Sequence, residues 1–551
     1  MRTSLQVYRE FWEKGEDASP QLPSDYPGWP ESGVALLGDF AGIQSFVLRP
    51  VPGAGGAAKR LRSRSFRVSA YTELIWRWCV ERLSSARARL LYSAGGRFLI
   101  GAERLADWQN VVRQMQKEID LWAWSRFQGE LAFHLVGAEF NSGKIPVSAL
   151  MSALEERRSQ PRAEVLAGDR AWDSTAFFRA AGPGERKCQA CGVTDKVITT
   201  SDGEEICKSC DDDERRGLRL AHANFAHISE GGEGDLRAPG LSMSVHEGWT
   251  GEASGTWLSL GDHRKGAEPW HLLRHLPVDN TGRPLDFEEI ANFCPGSRKW
   301  LGYLRIDVDG AGRHFRNLNG DPVRTWALSR LLHLFFAKNA NDKLSDPRYK
   351  NIYAVYGGGD DLFVIGPWPD TLDFAADLRK SLVEVAGTSL AFSAGMALAK
   401  PRDHILTQAE FAHALLDEAK NKLSYGRGCG RNQINALGNI ADWETFQGLL
   451  ETGKKLTKWI QEREIPSSIL HRILELHHGW KGTMALPPEK RRRNADRYRP
   501  LLYYQIQRNI KRGDARDWAQ TLLSASSQWP WADFIARYAM LAREAEKGEG
   551  G

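Results

Sequence analysis

One stretch in the second half of the chain constrains the fold more than any other, residues 353–366, which read YAVYGGGDDLFVIG. Two short apolar runs flank a glycine-rich turn that carries two adjacent carboxylates, Asp360 and Asp361. The pattern predicts a β-hairpin, because Gly358 and Gly359 tolerate the positive φ angles of tight turns and let a ligand approach closely. Core packing gives no reason for a carboxylate pair, whereas Mg²⁺ prefers one or two carboxylates plus phosphate oxygens. An ordinary Gly-Asp turn is the alternative interpretation.

A second acidic segment lies about fifty residues upstream, where residues 300–310 read WLGYLRIDVDG. Apolar and polar residues alternate there, as they do in a strand, and the strand would end at Asp307 and Asp309. Palm-type polymerases and nucleotide cyclases present metal ligands in this way, on such a strand and on an acidic hairpin that follows it. Asp307 and Asp360 would bridge two ions that activate a ribose 3′-hydroxyl and neutralise charge on the α-phosphate and the departing pyrophosphate. A solvated strand end is the alternative.

The first half of the chain repeats this pattern without the acidic pair. Residues 90–101, LLYSAGGRFLIG, match the tyrosine, glycine pair, apolar run and closing glycine of residues 356–366. Asp39, in an apolar strand, stands where Asp307 does. We therefore predict an internal duplication of two palm-like units, the first without a complete metal site. Two such units packed face to face could hold two nucleotides; a chance similarity of two βαβ-type segments is the alternative.

Two Cys-x₂-Cys pairs separated by fifteen residues lie between these units: Cys188, Cys191, Cys207 and Cys210. The spacing fits a tetrahedral zinc site of the zinc-ribbon type. Four thiolates would leave no open coordination position, so we assign the site to stability rather than catalysis. A redox pair or free thiols are the alternatives.

We predict an α+β multidomain protein, since 551 residues suffice for three to five domains. The expected parts are an N-terminal arm (1–30), a degenerate palm domain (31–160), a linker domain with the zinc ribbon (161–295), a second palm domain with the hairpin (296–438) and a helical domain (439–551). Both palms are expected to be ferredoxin-like. Amphipathic patterns predict a C-terminal bundle with helices at 443–460, 469–478, 497–510 and 518–541. Residues 225–295 show no clear periodicity.

The chain shows no signal peptide and no long uncharged apolar run, so we expect a cytoplasmic protein without membrane contact. The net charge is only +5, but basic residues cluster at 60–67, 82–89 and 490–493. Each cluster could meet phosphates, or could be a solvated face. Lys420, Arg427 or Arg431, at and after the end of the last helical pattern of the second palm, could grip a triphosphate, or each could be a solvated cation.

Several motifs occur in an order that resembles the large polymerase-cyclase subunit of type III CRISPR effector complexes. The resemblance covers almost all of the chain from residue 34 onward and rests on the Cys pairs and on GDFAGIQSF (38–46), LRSRSF (61–66), GGRF (95–98), DVD (307–309), GGDD (358–361), SAG (393–395) and AK (419–420). It implies an enzyme that converts ATP to cyclic oligoadenylate messengers when its complex binds target RNA.

The resemblance also implies site residues. Asp307, Asp360 and Asp361 would bind Mg²⁺ or Mn²⁺ and drive 3′–5′ phosphodiester formation. The nucleotides would lie beside further positions: a base near Ser393, a triphosphate near Lys420, and a second nucleotide bordered by Gly95 and Gly96.

The implied partners are a guide RNA, the target RNA, backbone subunits, a subunit that holds the 5′ end of the guide and small helical subunits. Many family members begin with a metal-dependent HD nuclease domain. Here only about thirty residues precede the first palm and no His-Asp dipeptide occurs, so we predict no HD-type DNase activity. Two other interpretations stay open, a non-enzymatic scaffold of the same ribonucleoprotein and a diguanylate cyclase-like enzyme.

Overall fold

The structure is a computed structural model, and it describes residues 4–19, 21–49, 56–83, 87–103, 106–160, 186–192, 197–200, 203–231, 234–249, 254–261, 264, 266–296, 298–423, 430–487, 489–491, 496–511, 513–524 and 528–543. The N-terminal arm begins with helix α1 (Ser4–Lys14). This helix packs on the second palm domain, where Tyr8 meets Trp326 edge-on at 5.4 Å between ring centroids. Arg324 Nε donates to the carbonyl of Trp12 at 2.9 Å. The arm is therefore tied to the core by ring packing and by a backbone hydrogen bond.

The first palm domain is a four-stranded antiparallel sheet in the order β2-β3-β1-β4. Its strands are β1 (Gly33–Ala41), β2 (Arg89–Ala94), β3 (Arg97–Ala102) and β4 (Ala132–Phe140). Its helices are α2 (Ile43–Val47), α3 (Ala57–Arg82), α4 (Trp108–Phe127) and α5 (Val147–Ser159). Strand β1 is buried along nearly its whole length, because its alternating apolar side chains enter hydrophobic clusters on both faces of the sheet.

The linker domain contains a small hairpin, a helix and a separate sheet. The hairpin is β5 (Val197–Thr199) and β6 (Glu205–Cys207), followed directly by α6 (Lys208–His222). A five-stranded sheet in the order β11-β10-β7-β9-β8 comes next, with β7 (Phe225–Glu230), β8 (Leu236–Arg237), β9 (Leu241–His246), β10 (Thr256–Ser259) and β11 (Glu268–Pro269). Helix α7 (Phe287–Ala291) closes the domain. The sequence did not reveal this sheet, because strands this short leave too few alternations to count.

The second palm domain is a six-stranded sheet in the order β13-β14-β12-β15-β16-β17. The strands are β12 (Leu301–Val308), β13 (Tyr353–Gly358), β14 (Asp361–Pro367), β15 (Phe392–Ala399), β16 (Gln433–Ala436) and β17 (Asn439–Asp442). The helices are α8 (Ala311–Arg316), α9 (Pro322–Leu334), α10 (Ala340–Leu344), α11 (Trp368–Ala386) and α12 (Ile405–Asn421). A π-helical segment, Phe335–Asn339, joins α9 to α10. Strand β16, which begins at residue 433, pairs with β15 and extends the sheet.

The structure confirms the internal duplication. Strands β2-β3-β1-β4 of the first palm follow the same order as β13-β14-β12-β15 of the second. Asp39 lies opposite Arg97 in β3, as Asp307 lies opposite Asp361 in β14. The register shifts just before the tyrosine of the second strand in both units, at Tyr92 and at Tyr356. Shared order, register and irregularity exclude chance similarity.

The C-terminal part is helical, with α13 (Trp443–Gln461), α14 (Ser468–Met484), α15 (Tyr498–Asn509), α16 (Asp514–Thr521) and α17 (Ala532–Ala542). The single helix predicted at 518–541 is wrong, because a 3₁₀ turn, Trp529–Trp531, separates α16 from α17. Trp529 stacks on Tyr498 at 4.0 Å between centroids, and Pro530 cannot sit inside a regular helix without removing a backbone hydrogen bond. Among the described helices, none combines the length and the apolar character needed to cross a bilayer.

Candidate active site

The predicted carboxylates meet where three adjacent strands end. Strands β12 and β14 are antiparallel, which places Asp307 directly opposite Asp361. The N–H of Val308 donates to the carbonyl of Asp360 at 2.9 Å, and the N–H of Asp309 donates to the carbonyl of Ala391 at 2.8 Å. These hydrogen bonds fix the hairpin tip and the start of β15 against the end of β12, so the segments that carry the four carboxylates are joined by backbone hydrogen bonds.

Glycines are required at this turn for two different reasons. A Cβ atom on Gly357 would lie 2.6 Å from the side chain of Leu273 and 3.2 Å from the carbonyl oxygen of Phe336, in the π-helical segment. Gly359 has a φ of +69°, and its Cβ atom would lie 3.7 Å from the Cα of Gly95 in the other palm. The hairpin tips of the two palms therefore touch, which is the face-to-face packing that the duplication predicted.

Asp309 is a structural member of the cluster. It is only 6% exposed, and its two carboxylate oxygens accept from the Ser393 hydroxyl at 2.8 Å and from the Asn432 N–H at 2.7 Å. Ser393 is itself fully buried. In the structure Ser393 orients Asp309, a role that the sequence did not show. The contact of Ser393 with a nucleotide base stays a prediction.

Three cations surround the acidic cluster. The ammonium group of Lys420, near the end of α12, forms an ion pair with Asp307. Arg305, buried beneath the site, donates to the Tyr356 hydroxyl at 2.6 Å. Arg431 is exposed, and its guanidinium lies 3.5 Å from the position that a Cβ on Gly310 would take, next to the strand end. Of the cations that the sequence selected, Lys420 and Arg431 lie at the carboxylates, and Arg427 falls outside the described residues.

The electrostatics of the cluster favour a bound cation. Burial and, after it, the neighbouring charge of Asp360 together raise the pKa of Asp361 to about 7. Burial likewise raises the pKa of Asp307, against the lowering effect of Lys420. Carboxyl groups that resist ionisation in the metal-free protein would regain their charge beside a divalent ion.

We expect the raised pKa of Asp361 to make stability depend on pH when no divalent metal is added. Its folded-state pKa of about 7 exceeds the ordinary value of 3.8, so the folded protein binds this proton more tightly than the unfolded chain. That contribution is fully present below pH 4 and is lost as the pH rises through about 7. The midpoint of thermal unfolding of Asp361→Asn, relative to wild type, should therefore increase between pH 5 and pH 8. A difference that does not vary with pH would contradict this explanation.

The equivalent position of the first palm holds an ion-pair triad instead. Asp39 is buried and accepts from Arg97 Nε at 2.7 Å. Its other oxygen pairs with Arg158, which lies at the end of α5. Helix α5 follows β4 as α12 follows β15, so Arg158 corresponds to Lys420. The first palm keeps the Asp-cation pair of the second and replaces Asp361 by Arg97.

The four predicted cysteines come together in the linker domain. Cys188, Cys191, Cys207 and Cys210 are buried, and their sulfur atoms all lie within 4.8 Å of one another. The Cys191 and Cys207 sulfurs are 3.8 Å apart, which is about the separation of two thiolates bound tetrahedrally to Zn²⁺. Within the described residues this is the only group of three or more His, Cys, Asp or Glu side chains drawn so close. The carboxylates at the hairpin are farther apart than these sulfur atoms and do not form so compact a group.

Two arginines of the basic cluster at 60–67 are used for packing between domains. Arg64 and Arg67 are buried in α3 and donate to Asp213 of α6 at 3.1 and 3.0 Å. Arg216 donates to the same carboxylate at 3.2 Å, while Arg64 also reaches the Cys210 sulfur at 3.4 Å. The sequence correctly located the charges but could not show that their partners lie about 150 residues further along the chain. Of the other two basic clusters, 84–86 and 492–493 fall outside the described residues.

A cavity of about 210 Å³ opens beside the acidic site. Apolar side chains of α2, α3, β13 and the linker domain line it, and Gly96 and Asp361 border it. Its polar lining groups include Arg62, Arg274 and His333. Sequence reasoning missed this cavity, because its wall is assembled from both palms and the linker domain. It lies where an organic ligand could extend from the carboxylates.

The fold and the carboxylate set define a class, proteins with two palm domains of the nucleotide cyclase and polymerase type packed hairpin to hairpin. Two protein-family models match parts of the chain and are more specific than this class. Residues 300–433 match the family described as "Cas10/Cmr2, second palm domain". Residues 34–164 match the family described as "Csm1 subunit domain B".

Curated relatives carry the name CRISPR system single-strand-specific deoxyribonuclease Cas10/Csm1 (subtype III-A). The protein of Mycobacterium tuberculosis is 25% identical over 443 residues, covering 70% of this chain and 52% of its own length. That of Enterococcus italicus is 26% identical over 486 residues, covering 80% of this chain and 59% of its own length. The chain thus spans about half the length of the curated relatives it matches.

Solved structures show the same fold. The Csm1-Csm4 cassette in complex with cA3 superposes with a TM-score of 0.70 at 18% identity, covering 95% of this chain and 72% of that one. The cassette in complex with one ATP gives a TM-score of 0.69 at 18% identity, covering 95% and 72%. The likeness extends over both palms, the linker and the helical part.

Proposed function

We propose that this chain is the subunit of a type III-A CRISPR effector complex that converts ATP to cyclic oligoadenylates when target RNA binds. The observation that carries this proposal is the position of Asp307, Asp360 and Asp361, at the point where the hairpins of two palms touch. Support comes from the similar Csm1 structures, whose ligands are ATP, the linear product pppApA and the rings cA3 and cA4. An enzyme that joins nucleotides into a ring must hold two of them side by side, and two palm domains packed together could hold one each.

Asp307, Asp360 and Asp361 would hold Mg²⁺ or Mn²⁺, whose carboxylate preference they satisfy. When bound, the metal supplies the activation of a ribose 3′-hydroxyl and the neutralisation of charge on the α-phosphate and pyrophosphate. These residues fit a cation, because Asp307 and Asp361 lie directly opposite each other on β12 and β14 and carboxylate oxygens are ligands that Mg²⁺ prefers.

The remaining residues would orient the reactants. Lys420 would exchange its ion pair with Asp307 for one with the triphosphate. Arg431 would add a planar, permanently charged group on the exposed side. Gly358 and Gly359 let the phosphates approach the backbone, and Ser393 keeps Asp309 in place.

We also propose that Cys188, Cys191, Cys207 and Cys210 hold a structural Zn²⁺. The residues around them fit such an ion. Three guanidinium groups share the carboxylate of Asp213, and one of them, that of Arg64, also donates to the Cys210 sulfur at 3.4 Å. A zinc ion with four thiolates carries a net charge of −2, which a cation at this distance would stabilise.

The partners we propose are a guide RNA, target RNA and the other subunits of a type III-A complex, including one of the Csm4 kind. A subunit that holds the 5′ end of the guide, backbone subunits and small helical subunits follow from the resemblance. The relatives' names describe a deoxyribonuclease. The 551 residues contain no His-Asp dipeptide, and we predict that they carry no HD-type DNase activity.

The test is an assay of the chain assembled with its guide RNA and partner subunits. ATP, Mg²⁺ and matched target RNA are added, products are identified by mass spectrometry, and a reaction without target is the control. Cyclic adenylates that form only with target would support the proposal. Products from GTP instead would favour the diguanylate cyclase-like alternative, and target binding without any nucleotide product under Mg²⁺ or Mn²⁺ would favour a scaffold.

A further inference from the structure

His333 lies at the contact between helix α9 and the hairpin that carries Asp360 and Asp361. It is the last residue but one of α9, and the helix continues as the π-helical segment, whose Phe335 and Phe336 are fully buried. A Cβ atom on Gly358 would lie 3.5 Å from the Nδ1 atom of His333. The packing of α9 therefore holds the imidazole ring against the backbone of the hairpin.

His333 also borders the cavity of about 210 Å³ beside the acidic cluster. Gly358 and Asp361 line the same cavity, so the ring lies next to the space that an organic ligand could occupy beside the carboxylates. The two arginines of the lining, Arg62 and Arg274, supply only N–H donors. A hydrogen-bond acceptor on this wall would therefore have a different preference among ligands.

The hydrogen bonding of the ring determines which nitrogen carries the proton. Burial lowers the pKa of His333 to about 4, against the raising effect of a hydrogen bond with the backbone of His271, so the ring is neutral at neutral pH. A backbone group that raises the pKa of a histidine is a carbonyl that accepts from the ring, because such a bond favours the protonated form. Nδ1 is buried and has no hydrogen-bond partner among the described residues. We therefore assign the proton to Nε2, which leaves Nδ1 as an acceptor.

A buried acceptor without a partner favours a ligand that brings a donor, because the unmade hydrogen bond costs free energy. The two purine bases differ in this respect at C6. Adenine has an amino group there, whose N–H groups donate, whereas guanine has a carbonyl oxygen, which only accepts. The lone pair of Nδ1 would attract the first group and repel the second.

We infer that the Nδ1 atom of His333 accepts a hydrogen bond from the 6-amino group of adenine, and that His333 thereby selects ATP over GTP. The inference rests on the proposed function and deepens it, because it names a residue that decides which nucleotide is used at the acidic cluster. His333 would contact the base and would take no part in the formation of the phosphodiester bond.

The test compares ATP with the triphosphate of purine riboside, which lacks the 6-amino group. In the assembled complex with target RNA and Mg²⁺, we expect wild type to use ATP with a kcat/KM about 10- to 100-fold above that of the analogue, because the analogue leaves a buried acceptor unpaired. His333→Leu should lower kcat/KM for ATP by about the same factor and leave that for the analogue unchanged. The preference for ATP over GTP should fall with it.

Two further variants separate recognition from folding. His333→Asn should keep a preference for ATP, because the Oδ1 atom of asparagine can take the place of Nδ1 as acceptor. His471→Leu is the matched control, since His471 is exposed on α14 in the helical part. ATP and the analogue are compared within one preparation, so their ratio does not depend on the fraction of a variant that is folded.

A loss in His333→Leu that is equal for ATP and the analogue would overturn the inference, because it would show that His333 only supports the structure. Failure of the proposed function is a different result, a wild-type complex that makes no product from any nucleotide. Equilibrium dialysis with Ca²⁺ in place of Mg²⁺ would then still test His333 without turnover. Wild type should bind ATP more tightly than the analogue, and His333→Leu should bind both alike.

Discussion

Replacing Asp360 and Asp361 together by asparagine should lower the rate of nucleotide product formation by about 10³-fold or more. Asparagine keeps the size of each side chain but cannot supply the negative charge that a divalent cation requires. The effect belongs at the upper end of losses seen when electrostatic stabilisation of a transition state is removed. The measurement is the initial rate of ATP conversion in the assembled complex with target RNA, at saturating Mg²⁺.

The fold should survive this double substitution. Asp360 is exposed and Asp361 is partly buried, and the hydrogen bonds that hold the hairpin come from backbone groups. The thermal unfolding midpoint should therefore be unchanged or higher than that of wild type. Asp373→Asn is the matched control, because Asp373 pairs with Lys454 away from the hairpins. Undiminished product formation in the double variant would exclude these carboxylates as the catalytic set.

A feature could be predicted from the sequence when the residues that define it lie close together along the chain. The hairpin around Asp360 and the zinc-ribbon cysteines are short motifs whose side chains, turn glycines and spacing lie within a few residues of each other. The duplication was visible because two local patterns could be compared, and the structure confirms it in strand order and register. The fold class therefore followed from local information repeated along the chain.

Contacts between distant segments could not be predicted in this way. Nothing in the segment at 60–67 shows that Asp213 will accept from its arginines, because that pairing depends on how α3 and α6 pack. The packing is close: a Cβ atom on Gly217 would lie 2.1 Å from the carbonyl oxygen of Lys59. The ion-pair triad of the first palm was hidden for a similar reason, since Asp39, Arg97 and Arg158 come from three different elements. Tertiary pairing of charged groups is set by geometry that the charge pattern alone does not contain.

The largest effect on stability is expected from Asp213→Asn. Asp213 is 1% exposed and accepts from Ser63, Arg64, Arg67 and Arg216, which join α3 of the first palm to α6 of the linker domain. Burial opposes the charge of Asp213, but the three guanidinium groups hold its pKa below the ordinary value. Removing the carboxylate leaves those guanidinium groups buried without compensation, which typically costs about 3–5 kcal/mol. We expect that loss in the free energy of unfolding, measured with urea.

Asp211→Asn provides the comparison on the same helix. Asp211 pairs with Arg215, whose side chain is 71% exposed, and such pairs contribute about 1 kcal/mol or less. The two variants also differ in their expected effect on the cysteine cluster, because Arg64 contacts both Asp213 and the Cys210 sulfur. Zinc should pass to a chelating dye faster from Asp213→Asn than from wild type, and at the wild-type rate from Asp211→Asn. Equal stability of the two variants would mean that this buried ion-pair group does not hold the linker domain on the first palm.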